Sequence, residues 1–131
     1  MERTKRATQE PSVAAKPRVF KAKIFARSCR KVGISDKELC AAVAELAKGL
    51  GDSLGGNVWK KRLNNNMHRA IVVAKPGRFW LFVYLFAKQD RDNIDNDELV
   101  AFRKLAKDVG KADAAKLDEL VTNGEYQEIC K

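Results

Sequence analysis

The stretch Val58–Asp90, VWKKRLNNNMHRAIVVAKPGRFWLFVYLFAKQD, decides the fold. It holds three runs of β type divided by two turn signals. Val58–Leu63 is short and half basic, and Asn64-Asn65-Asn66 then supplies side chains that tolerate turns and left-handed backbone. Met67–Ala74 is the second run. Lys75-Pro76-Gly77-Arg78 is the second turn, because proline presets φ for one corner and glycine accepts the positive φ that the next can need. The third run, Phe79–Ala87, is aromatic and β-branched and carries no charge, which predicts a strand buried on both faces. Two hairpins in succession predict an antiparallel meander over 58–88 with the most apolar strand last.

The cations inside this meander matter more than its shape. Residues two apart in an extended strand share a face, so Lys60 and Arg62 point one way and Lys61 the other. The Asn turn is expected to bring His68 and Arg69 back alongside the first two. A face that must be buried would not carry so many positive charges, so one face of the meander is expected to be open and basic. The solvated outer face of an antiparallel sheet accounts for the same pattern, and spacing alone does not choose between the two.

Working outward, residues 1–17 are polar and basic, with Pro11 and Pro17, and cannot bury enough surface to offset ordering entropy; a flexible basic tail is expected there. Residues 18–131 read as a single domain. Arg18–Ala22 predicts a short first strand, and Lys23–Val32 a helix that Gly33 ends. Ser35-Asp36-Lys37-Glu38 matches a capping box for a second helix. Gly49, Gly51, Gly55 and Gly56 read as a flexible link into the meander. Beyond it, Asp95 to Glu98 has N-cap and acidic first-turn features. Helices are expected over about Asn96–Val109 and Ala112–Val121, the C-terminal pair within 96–121, with Asn123-Gly124 as a turn before a short tail. The expected fold is α+β, a small twisted antiparallel sheet in β-α-α-β-β-β-α-α order with helices on one face.

The chain has 131 residues, with 26 Lys and Arg against 17 Asp and Glu, a net charge of +9. That excess calls for a polyanionic partner, nucleic acid or an acidic protein. Cys29, Cys40 and Cys130 are odd in number and lack metal-ligand spacing, so they are expected to be reduced core thiols of a cytoplasmic protein, with no metal site. No run is long enough for a membrane span, and no secretory apolar region opens the chain.

The ordered set of motifs resembles the RelE/ParE toxin superfamily, in particular the RelE/HigB-type toxins of bacterial type II toxin–antitoxin systems. The residues that carry the resemblance are Lys60 and Arg62 in VWKKRL, Arg69 in MHRAIVVA, Phe86-Ala87-Lys88-Gln89-Asp90 with Asn93-Ile94, and Glu98, Leu99 and Phe102 beyond them. It implies a microbial-RNase-like fold and a ribosome-dependent mRNA interferase that blocks translation. In that chemistry the RNA 2′-OH attacks the adjacent phosphodiester without metal or cofactor. The resemblance also implies a cognate antitoxin, often a helix-turn-helix protein, beside the mRNA and ribosome.

Metal-free phosphoryl transfer needs a base near the 2′-OH, cations on the non-bridging oxygens and an acid for the leaving oxygen. Lys60 stands where the family places a lysine near the nucleophile. Arg62 and Arg69 suit phosphate clamping, since guanidinium is planar, bidentate and permanently charged. His68, Lys88 and Asp90 complete the candidate catalytic set, with Lys61 and Arg91 as candidate RNA contacts. Two positions depart from the pattern: Gln89 stands where the family's acid arginine is expected, and Asp95 near its base-stacking aromatic residue. A gyrase-inhibiting ParE-like toxin and a non-catalytic RNA-binding or regulatory member therefore remain alternatives.

Overall fold

A computed structural model of the protein describes residues 16–131; the tail expected over residues 1–17 lies outside them except for its last two positions. Strand β1 is Arg18–Ala22. Helix α1, Lys23–Val32, ends where Gly33 turns left-handed at φ 78° and returns its N–H to the Cys29 carbonyl, the close that glycine permits without a Cβ clash. Helix α2, Asp36–Leu46, begins at Ser35, whose hydroxyl accepts from the Glu38 N–H. Only this half of the expected capping box is observed, because the Glu38 carboxylate accepts from the Asn64 N–H instead.

Strands β2 (Asp52–Gly55), β3 (Val58–Leu63), β4 (His68–Lys75) and β5 (Phe79–Ala87) follow. Helices α3 (Asn96–Val109) and α4 (Ala114–Thr122) and strand β6 (Tyr126–Ile129) complete the chain. The six strands form one open sheet in the order β2-β3-β4-β5-β1-β6. All neighbours are antiparallel except β1 and β5, which run parallel.

The fold class is α+β as expected, with two differences of detail. The sheet is mixed, because β1 reaches the far side of the meander through the α1–α2 crossover, and a parallel neighbour needs such a connection. Helices cover both faces rather than one. Val19, Leu63, Ala70, Val72 and Phe82 pack with Phe25, Cys29, Leu39 and Leu46 of α1 and α2. Phe20, Val58, Ile71, Val73, Leu81 and Phe86 pack with Ala106 of α3 and Leu117 of α4. Neighbours in sequence, such as Val19 and Phe20 or Ile71 and Val72, divide between the two cores as strand alternation requires.

In β5 the register passes from Val72 opposite Phe82 to Ile71 opposite Tyr84, so Val83 is an extra, bulged residue. The bulge changes the phase of the strand. It sends Leu85 to the α1–α2 core and Tyr84 and Phe86 to the α3–α4 side.

The cysteine expectation is corrected. Cys40 and Cys130 form a disulfide across a sequence separation of 90, with Cα atoms 5.6 Å apart, while Cys29 is a free, buried thiol. The reason is β6, which lies antiparallel beside β1 with Ile129 opposite Val19. Ile129 packs into the same core as Leu39 and Cys40, and the next residue meets α2.

Candidate RNA-binding and catalytic face

Across β3 and β4, Arg62 lies directly opposite Arg69 and Lys60 opposite Ile71. Strand β5 extends both rows, with Phe86 beside Arg69 and Tyr84 beside Ile71. Ile71 and Phe86 belong to the α3–α4 core, so Lys60, Arg62 and Arg69 rise from that same face. Cover thins along β3 from Val58, fully buried, to Arg62, exposed. The three cations stand where helix packing gives way to solvent.

Their electrostatic setting differs from that of the cations that are paired with carboxylates. Arg18 bridges Asp118 and Glu128, buried Lys21 meets Asp36 at 2.6 Å, Lys61 meets Glu45 at 2.6 Å, and Arg91 meets Glu98 at 2.5 Å. Among the described residues no carboxylate forms an ion pair with Lys60, Arg62 or Arg69, although Asp52 of β2 lies opposite Lys60 in register. Arg69 is held by main-chain oxygens, donating from Nη1 to the carbonyls of Asn66 at 3.0 Å and His68 at 3.1 Å. Neutral acceptors orient the guanidinium while leaving its charge uncompensated.

Lys61 points to the other face, as alternation predicts. Its ammonium is spent on Glu45 and on the Leu50 carbonyl at 2.9 Å. His68 differs from expectation. It lies opposite Leu63, a residue of the α1–α2 core, so the same alternation that puts Arg69 beside Arg62 turns His68 away. Its Nδ1 lies 3.1 Å from the Asn64 side-chain nitrogen. Both residues of the His-Arg pair cannot join one face because they are consecutive in a strand.

At the exit of β5 a groove of about 880 Å³ is lined by Val32, Asn66, His68, Lys88, Asp90 and Arg91, among others. Lys88 and Asp90 are exposed, and the Lys88 N–H is fixed to the Met67 carbonyl at 2.9 Å. Arg91 is not free at the groove wall. Besides Glu98 it donates to the Tyr84 hydroxyl at 3.3 Å and the Asn93 carbonyl at 2.9 Å. Its guanidinium holds the Glu98 carboxyl below the ordinary carboxylate range.

A family model described as the RelE toxin of the RelE/RelB toxin–antitoxin system matches residues 17–129. The chain belongs to the RelE toxin family. No curated protein matches it. A RelE-type toxin works within a toxin–antitoxin pair, so an antitoxin partner is implied.

Within this RelE-family chain the two departures have local explanations. Asp95 caps α3: its carboxylate accepts from the Glu98 N–H and Glu98 returns to the Asp95 N–H, both at 2.8 Å. Gln89 is exposed in the turn after β5. Three partners escaped sequence reasoning, namely Glu38 at the Asn turn, Glu45 at Lys61 and Glu98 at Arg91. The first two are carboxylates on α2 whose targets lie 26 and 16 positions along the chain, and no local pattern announces such a contact. Glu98 was legible as a capping residue, and its second role follows from the loop folding back over Phe86, with the Arg91 guanidinium 5.7 Å from that ring's centre.

Proposed function

We propose that this RelE-family toxin is a ribosome-dependent mRNA interferase acting in the bacterial cytoplasm. The observation that carries the reading is the trio of Lys60, Arg62 and Arg69 on one face, without carboxylate partners among the described residues, in a chain that neutralises several other cations. An unneutralised cluster of this kind suits a phosphodiester.

In the proposed reaction the RNA 2′-oxygen forms a bond to phosphorus as the bond from phosphorus to the 5′-oxygen breaks. The products are a 2′,3′-cyclic phosphate and a free 5′-OH. Arg62 and Arg69 clamp the non-bridging oxygens and hold the charge that grows on them. Lys60, one row away, attends the 2′-OH. Lys88 at the strand exit is the candidate proton donor to the leaving oxygen, with Asp90 at the groove for proton exchange and His68, on the other face, left only as a base contact in the groove. The antitoxin, proposed to be a helix-turn-helix protein, neutralises the toxin by covering this basic face.

Gln89 favours a second reading, a non-catalytic RNA-binding member, because an amide cannot deliver a proton as an arginine or histidine can. Incubation with translating ribosomes separates the two. New 5′-OH ends within codons support the interferase, whereas ribosome binding with intact transcripts supports the second reading. Inhibition of DNA supercoiling with intact transcripts would move the target to gyrase.

A further inference from the structure

Asn64, Asn65 and Asn66 have φ of 55°, 53° and 70°, three consecutive non-glycine residues in the left-handed region. Asparagine tolerates that region better than most residues, but as single positions rather than runs. Such backbone persists only where its surroundings fix it, and it gathers at functional sites.

The surroundings here are specific. On one side the Asn64 N–H donates to the Glu38 carboxylate of α2. Within the turn the Met67 N–H donates to the Asn64 carbonyl at 3.0 Å. On the other side the Asn66 carbonyl receives the Arg69 Nη1 at 3.0 Å. Helix α2 is thus joined through three left-handed residues to the guanidinium that stands opposite Arg62. Return of any of the three to ordinary backbone would swing the Asn66 carbonyl and release Arg69, whose long side chain would then have to be ordered anew at each encounter with RNA.

We infer that Glu38 and the left-handed Asn64–Asn66 turn are positioning residues that set the Arg69 guanidinium for the scissile phosphate. The inference rests on the interferase reading and adds to it a control of Arg69 that comes from the opposite side of the sheet. Glycine preserves the left-handed path without any side chain, whereas a β-branched residue opposes it. For placing Arg69 the backbone conformation therefore matters and the asparagine side chains do not, since Arg69 meets the Asn66 carbonyl.

The test is single-turnover cleavage of ribosome-bound mRNA by the full chain. The variants are the triple Asn64→Gly, Asn65→Gly, Asn66→Gly, the corresponding triple valine change, Glu38→Gln and Glu38→Ala. Each is made alone and with Arg69→Lys, which keeps the charge but not the fork. The glycine triple and Glu38→Gln, which retains a carbonyl acceptor, are expected within about threefold of the parent rate. The valine triple and Glu38→Ala are expected to lose about tenfold or more, in the rate of the cleavage step rather than in ribosome affinity. That loss should vanish in the Arg69→Lys background, which a general loss of structure would not do. If the valine triple fails to fold, Glu38→Ala carries the test. Full cleavage by Glu38→Ala, or an equal loss in both backgrounds, overturns the inference. Full cleavage by Arg69→Ala instead overturns the interferase reading itself, and the inference with it.

Discussion

Arg62 and Arg69 are directly opposed across the β3–β4 ladder, two like charges on one face of a sheet. Like charges directly opposite one another destabilise a sheet. No carboxylate among the described residues forms an ion pair with either guanidinium, so the pair is kept at a cost in stability for what it binds. Arg62→Thr, which also suits a strand, is expected to raise unfolding stability by about 0.5 kcal/mol and to abolish most cleavage. Urea denaturation beside a cleavage assay checks both, and a destabilised Arg62→Thr would contradict this view of the pair.

Phosphate binding by the trio should appear in the salt dependence of RNA affinity. For single strands each phosphate contact contributes about 0.7 to the slope of log affinity against log salt. Lys60→Ala, Arg62→Ala and Arg69→Ala should each flatten that slope by roughly this amount. Lys61→Ala should leave it nearly unchanged, because its ammonium is already committed to Glu45 and the Leu50 carbonyl. Equal flattening by Lys61→Ala would mean that charge alone, without a face, governs binding.

The disulfide gives a stability prediction independent of RNA. A crosslink that closes a loop of 90 residues restricts the unfolded chain, by about 4.6 kcal/mol in the chain-entropy model. Dithiothreitol, or Cys40→Ser with Cys130→Ser, should lower stability by up to that amount and release the β6 end of the chain. Cys29 should not react with thiol reagents until the chain unfolds, since burial pushes its thiol up to about 11 and only the thiolate is nucleophilic. Unchanged melting on reduction would count against the bond. In the reducing cytoplasm where the interferase reading puts the protein, the reduced form is the one to compare.

Acid should weaken the fold through Glu128. The hydrogen bond from Arg18 holds its carboxyl below the ordinary carboxylate range, and its side chain is 14% exposed. A carboxyl with a lower folded than unfolded pKa stabilises the fold above the unfolded value, near 4.3, and loses that contribution as pH falls through the folded value. Glu128→Gln should therefore lower stability at pH 7 and shrink the drop between about pH 5 and pH 3. Urea midpoints across that window test it, and an unchanged drop would show that Arg18 and Glu128 do not contribute.

Much of the fold was legible because local signals agreed. Residue-two alternation placed Lys60 and Arg62 together and Lys61 apart, and the Asp95 cap fixed the start of α3 at Asn96. Strands β2 and β6 were not legible. Asp52–Gly55 sits in a glycine-rich link and Tyr126–Ile129 in a short tail, and each becomes a strand only because a sheet edge stands beside it. The disulfide went unseen with β6. His68 was misplaced for a simpler reason, since phase across a turn depends on loop length, and only the register of Leu63 with His68 fixes it.

The central claim is that Lys60, Arg62 and Arg69 act together on one phosphodiester. Mapping of 5′-OH ends on ribosome-bound mRNA, with the parent chain and with Lys60→Ala, Arg62→Ala and Arg69→Ala, tests it most directly. The account predicts discrete new ends within codons for the parent and their loss by a hundredfold or so in each variant, as expected when charge stabilisation of the transition state is removed. Transcripts left intact by the parent chain, or cut equally well by all three variants, would contradict it.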